Sequence, residues 1–164
     1  MAIDDLDDLD LEEDDNIDNT FLTFAVGEEE FAIPVAHVIE VVRLQKIFAV
    51  PDVERHVRGV INLRGKVIPL LDVRARFGLQ ETAYSDRTVI VVIEVDGTPT
   101  GLIVDDVFDI AECPPDQVES ATTLMRSSGR ESLVTGISKR GERVSFILDV
   151  HRLVVSAPTT AAAA

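Results

Sequence analysis

The sequence predicts a mainly β protein made of twin small barrels, about five short strands each. Three observations carry that prediction. Val and Ile dominate the apolar set while aromatics are scarce, with seven Phe, one Tyr and no Trp, a bias that favours strands. The apolar runs come in hairpin-sized pieces split by short glycine-containing turns. The pieces also repeat. Phe24–Val26 through Ile33–Val41 matches Ile93–Val95 through Leu102–Ile110 at a constant offset of 69. Gly59 to Val73 matches Gly136 to Val150 at an offset near 77, each copy closing on Leu-Asp-Val. One such match arises easily in a Val-rich chain, but two in the same order point to an internal duplication. Five short twisted strands can close on themselves and remove their exposed edges.

The elements follow in order. Residues 1–18 hold ten acids and no base, with only Ile3, Leu6, Leu9, Leu11 and Ile17 as large apolar positions after Met1. Like charges that dense repel, so this stretch reads as a disordered tail. Thr20–Val26 and Phe31–Val35 flank the first turn, Gly27 to Glu30. A helical turn is expected around Val35 to Val42. Val57–Leu63 and Lys66–Leu71 flank Arg64-Gly65, Thr88–Val95 and Thr100–Val104 flank Asp96 to Pro99, and Leu133–Ser138 and Val144–Leu148 flank Lys139 to Arg143. Asp72 offers an N-cap and Gly78 a stop for a short helix between them. Asp149 to Val154 repeats the device. Cys113 to Arg130 reads as a Pro-started connector of low strand character. Residues 156–164 form a frayed end, leaving 19–155 as the folded unit.

Composition narrows the function. The chain has 164 residues and a net charge of −15, which argues against a nucleic-acid partner. Beyond the tail, 20 acids face 15 bases, ordinary for a soluble domain. A single cysteine excludes an internal disulfide and any multi-cysteine metal site. No apolar run approaches the ~18 residues of a membrane span, and the N-terminus lacks a secretory signal. These features predict a cytoplasmic protein with no direct membrane insertion.

Catalytic groups are sparse. His37, His56 and His151 stand apart, with no neighbouring ligand at metal spacing. No nucleophile elbow, zincin motif or phosphate-cradling loop occurs. Cys113 precedes Pro-Pro and reads as an unreactive thiol. Asp105, Asp106 and Asp109 suggest a hard-cation site or, more simply, a solvated strand end. What remains suits protein binding through strand faces and edges, and the expectation is no enzyme, no cofactor and no metal.

The stretch Gly59-Val60-Ile61-Asn62-Leu63-Arg64-Gly65-Lys66-Val67-Ile68-Pro69-Leu70-Leu71-Asp72-Val73-Arg74-Ala75-Arg76-Phe77-Gly78 resembles the signature of the CheW family, the coupling proteins of bacterial chemotaxis. Gly27–Val35 with Val38–Val41, and Gly101–Val107, are similar to the family as well, so the likeness covers roughly residues 20–155. The resemblance implies two interlocked five-stranded SH3-like β-barrels with a few short helices. It also implies a non-enzymatic adaptor, without cofactor, that couples the cytoplasmic tips of methyl-accepting chemoreceptors to the regulatory domain of the CheA-type histidine kinase. Such an adaptor works in the cytoplasm on membrane-bound receptor arrays. Two alternatives stay open: a coupling protein of another array, serving pilus motility or development, and a carrier of a small apolar ligand held between the barrels.

The resemblance also points to residues. Arg64 matches the family's arginine in Asn-Leu-Arg-Gly and is expected to project from its turn toward solvent or a partner. Val38 and Glu40 match positions near the family's kinase contact. Period-two spacing puts them on one side of an extended stretch, leaving Ile39 and Val41 for the core. Gly59 and Gly65 are backbone devices first. The expected kinase interface is therefore Val38, Glu40, Gly59 and Arg64, and Leu102, Ile103 and Val104 are candidates for a receptor groove. Arg74 and Arg76 read as surface charge.

Overall fold

A computed structural model describes residues 19–80, 82–120 and 133–155. The two expected tails and residues 121–130 of the connector lie outside the described residues. Eleven strands are described: β1 (Thr20–Val26), β2 (Glu29–Pro34), β3 (Val38–Arg43), β4 (Val57–Leu63), β5 (Lys66–Asp72), β6 (Val89–Val95), β7 (Thr98–Val104), β8 (Asp106–Glu112), β9 (Val118–Ser120), β10 (Val134–Arg140) and β11 (Arg143–Leu148). Two short helices, α1 (Val73–Arg76) and α2 (Val150–Val155), follow β5 and β11.

The strands form a five-stranded sheet in the order β3-β6-β7-β5-β4 and a six-stranded sheet in the order β8-β1-β2-β11-β10-β9. Shifting by the sequence offsets maps β1, β2 and β3 onto β6, β7 and β8, and β4 and β5 onto β10 and β11. Under that mapping the two sheets have the same order. Each half of the chain gives its first two strands to one sheet and its remaining strands to the other, three from the first half and four, with β9, from the second. The halves have exchanged strands, which is why the barrels interlock. Two parallel pairings, β5 with β7 and β11 with β2, join the halves within each sheet.

Irregularities repeat as well. The register slips between Val38 and Glu40 against β6, skipping Ile39, and again on β8 between the partners Val107 and Asp109, skipping Phe108. A second slip skips Arg58 in β4 and Thr135 in β10. The sixth strand, β9, pairs Glu119 with Ile137, and its counterpart is the single bridge between Phe48 and Val60. Bulges retained in both copies are features of the fold and not local accidents.

Strand alternation builds three cores. One face of each sheet packs on the other sheet, with Leu22, Phe24 and Val26 of β1 and their counterparts Val91, Ile93 and Val95 of β6 in one buried cluster. The interior of the five-stranded barrel is apolar and draws on every strand: Val42, Ile61, Ile68, Leu70, Ile90, Val92 and Ile103. The six-stranded barrel differs. Where the first barrel has Val92, Ile61 and Ile68, the second buries Thr23, Ser138 and Ser145. Its apolar interior is reduced to Phe21, Ala32, Cys113 and Ile147, with Val118 packed against them.

The helix N-cap prediction at Asp72 holds, since its side chain accepts from the Ala75 N–H. The helical turn expected over Val35 to Val42 is confined to Val35–His37, because Val38 onward pairs with β6 as strand β3. Pairing with β10 likewise makes a strand of Val118–Ser120 inside the connector.

Candidate protein-docking site on the first barrel

The β4–β5 hairpin turns at Arg64-Gly65, both with positive φ, +52° and +88°, the conformation that a two-residue hairpin loop matched to strand twist requires. The Asn62 side chain braces the turn by accepting from the Gly65 N–H at 2.9 Å. Arg64 is thereby thrust outward, its side chain 69% exposed. It does not stand alone, because its guanidinium donates to the Glu40 carboxylate on β3.

The bulge on β3 decides what surrounds that pair. Simple alternation would bury Ile39, but the skipped register leaves it 46% exposed while Val41 drops to 7%. Val38 is partly buried against the inter-sheet core. The surface here therefore shows Ile39 and the Glu40–Arg64 pair more than Val38. Gly59 is buried, and a side chain on it would place Cβ 2.3 Å from the Phe48 carbonyl oxygen at a φ of +141°. Its place is structural, holding the Phe48 loop on β4 through reciprocal bonds between Phe48 and Val60 of 2.8 and 2.9 Å.

Between β3, the β4–β5 turn, β6 and the β6–β7 turn lies a hollow of about 320 Å³. Ile39, Leu63, Ile68, Val92 and Pro99 give it apolar walls, and Glu40, Arg64, Lys66 and Glu94 stand around it. It opens on the first barrel, whereas the alternative reading as a ligand carrier placed its pocket between the barrels.

Leu102, Ile103 and Val104 are enclosed at 0%, 3% and 1% exposure. Their strand β7 lies between β6 and β5, with the inter-sheet core on one face and the barrel interior on the other. Two-sided burial explains their unbroken hydrophobicity, and the three side chains present almost no surface in this structure. Every member of the acidic cluster has a basic or backbone partner. Asp105 takes Arg74 at 3.1 Å and the Gly27 N–H at 2.7 Å, Asp106 faces Arg87 at 3.7 Å, and Asp109 faces Arg143 at 3.4 Å. Among the described residues no three His, Cys, Asp or Glu side chains are grouped to hold a metal. Arg76 is not plain surface charge: it donates to the Leu153 and Arg152 carbonyls, tying α1 to α2.

Sequence reasoning missed the ion networks. On the second barrel Glu30 accepts from Arg143 at 2.9 Å and Arg140 at 3.3 Å and also from the Ser145 hydroxyl. Burial raises the carboxyl pKa of neighbouring Asp109, but the Thr23 hydroxyl and the Arg143 and Arg140 charges outweigh it and hold that carboxyl below its usual range. The available signal was a run of polar residues at inward positions of strands whose counterparts are apolar.

Comparison with known proteins adds the family. The CheW-like domain profile matches residues 20–157. The chain is 34% identical over 133 residues to the chemotaxis protein CheW of Bacillus subtilis, covering 81% of this chain and 85% of that protein. It is 29% identical over 142 residues to the chemotaxis protein CheW of Klebsiella aerogenes, covering 87% and 85%. The crystal structure of the scaffolding protein TtCheW from Thermoanaerobacter tengcongensis superimposes with a TM-score of 0.77 at 29% identity, over 84% of this chain and 92% of that one. Twin strand-exchanged barrels, the Asn-Leu-Arg-Gly turn and a profile spanning the whole folded unit agree on one conclusion: this chain belongs to the CheW family of chemotaxis scaffold proteins.

Proposed function

We propose that the chain is a non-enzymatic adaptor that bridges chemoreceptor tips to the regulatory domain of a CheA-type histidine kinase, at receptor arrays on the cytoplasmic side of the membrane. The kinase meets the end of the first barrel, where Arg64 and Glu40 form an exposed pair, Val38 lies beneath, and Gly59 fixes the strand and loop behind them. The observation that carries this reading is the projection of Arg64 from a braced turn beside an exposed Ile39 and an open hollow, in a chain of a scaffold family. The charged groups there are ion-paired or face solvent, an arrangement suited to docking and not to proton transfer. No helix of the described residues is long and apolar enough to cross a membrane.

A titration of the full chain with a kinase regulatory domain, and separately with a cytoplasmic receptor fragment, tests the reading. Saturable binding to both is expected. A folded protein that binds neither overturns it.

A further inference from the structure

The duplication offers a template for what the first barrel's hollow takes. Under the sequence offsets Lys66 corresponds to Arg143, Glu40 to Asp109, and Pro99 to Glu30. In the second barrel Arg143 binds the Glu30 carboxylate, whose side chain is 13% exposed, and also faces Asp109. Arg140 and Ser145 complete the set around Glu30. That mouth is closed by its own ion pairs.

The first barrel lacks the closing carboxylate. Pro99 stands in place of Glu30, and Leu63 and Ile68 stand in place of Arg140 and Ser145. The space is the hollow of about 320 Å³. Arg64 is already held by Glu40. Lys66, exposed at the same rim, has no ion-pair partner among the described residues. Glu94 stands on β6 and Lys66 at the start of β5, so the positive side of the hollow is the Lys66 side.

We infer that the hollow receives an apolar side chain of the kinase regulatory domain, with an Asp or Glu of the same segment held by Lys66 as Glu30 is held by Arg143. The inference rests on the adaptor reading and adds the chemistry of the partner segment. An apolar wall rewards an apolar anchor, and a free ammonium at the rim selects the sign of the adjoining charge.

The experiment is a calorimetric titration of the kinase regulatory domain into the full-length wild type, Lys66→Ala, Lys66→Glu and Pro99→Glu, at two salt concentrations, with a melting curve for each. Lys66→Ala is expected to weaken binding about threefold and Lys66→Glu about tenfold or more, with a flatter salt dependence. Pro99→Glu restores the self-closing carboxylate of the second barrel and is expected to weaken binding by a similar factor. Wild-type affinity in both Lys66→Glu and Pro99→Glu, with normal melting, overturns the inference and leaves the adaptor reading standing. A wild type that itself fails to bind overturns the adaptor reading and the inference together.

Discussion

Arg64 on the β4–β5 turn is ion-paired with Glu40 on β3, across 24 residues of sequence. The pair joins an exposed guanidinium to a carboxylate side chain only 26% exposed. Geometry of this kind presents the arginine in one orientation, at little cost to the barrel if it is lost.

Arg64→Ala is therefore expected to move stability by no more than ~0.5 kcal/mol, as exposed pairs generally do. Loss of kinase affinity should be larger, about thirtyfold, if the guanidinium is desolvated on docking. Glu40→Gln distinguishes orientation from direct contact. A double-mutant cycle on Arg64 and Glu40, read by titration and melting, should show strong coupling in affinity and weak coupling in stability. Additive affinities would make Glu40 a separate contact.

The duplication was legible because constant offsets survive divergence, and the strands it implied lie where expected. What the offsets did not reveal was strand exchange, since pairing of β2 with β11 or β5 with β7 leaves no local mark in the sequence. Ile39 shows a second limit. Period-two reasoning fails at a bulge, and one skipped residue exposes a side chain that alternation buries. Arg64 and Glu40 were each readable from the family signature, but their mutual pairing depends on the barrel bringing β3 to the β4–β5 turn.

Gly59→Ala should be far more damaging than Gly65→Ala. The Gly59 Cβ would collide with backbone at 2.3 Å, whereas nothing lies within 4 Å of the Gly65 Cβ. Both positions have positive φ, so Gly65→Ala is expected to cost about 1 kcal/mol and Gly59→Ala about 3 kcal/mol or more. Melting curves measure the difference. Kinase binding by Gly59→Ala at low temperature, where the fold persists, tells an indirect loss from a direct one.

Asp72 gathers three donors: Arg58 at 3.2 Å, the Ala75 N–H at 3.3 Å and the Tyr84 hydroxyl at 2.9 Å. Burial, then the Asp72 charge and its hydrogen bond, push the Tyr84 pKa up to about 12. A folded-state value above the unfolded one near 10 means that this contribution is present below pH ~10 and is lost as pH rises toward 12. The chain has one Tyr and no Trp, so phenolate absorbance reports this residue alone. The titration midpoint should lie well above 10 in the wild type and fall in Asp72→Asn. Equal midpoints in the two proteins would show that burial alone sets the shift.

The ion network on the second barrel should matter more to the fold than the pair on the first. Glu30→Ala removes the nearer of the two carboxylates that Arg140 and Arg143 share, leaving Asp109. Arg140, its side chain 22% exposed, then loses its 3.3 Å contact and, among the described residues, keeps Asp109 at 3.9 Å as its carboxylate. Removing Glu30, 13% exposed, from a set whose Arg143 and Asp109 are 44% and 45% exposed costs about 2 kcal/mol, against the small change expected for the exposed Glu40–Arg64 pair. Acid adds an independent check. Because the Asp109 carboxyl titrates below its unfolded value, its stabilisation is complete above pH ~4 and disappears as pH falls through the depressed folded value. Asp109→Asn should therefore be less stable than the wild type at pH 7 and converge with it in strong acid. Glu30→Ala should melt earlier at pH 7 while its kinase titration, measured below its melting range, stays close to wild type. Kinase affinity lost together with Glu30 would mean that the second barrel's mouth takes part in docking and that its internal ion pairs open to admit a partner.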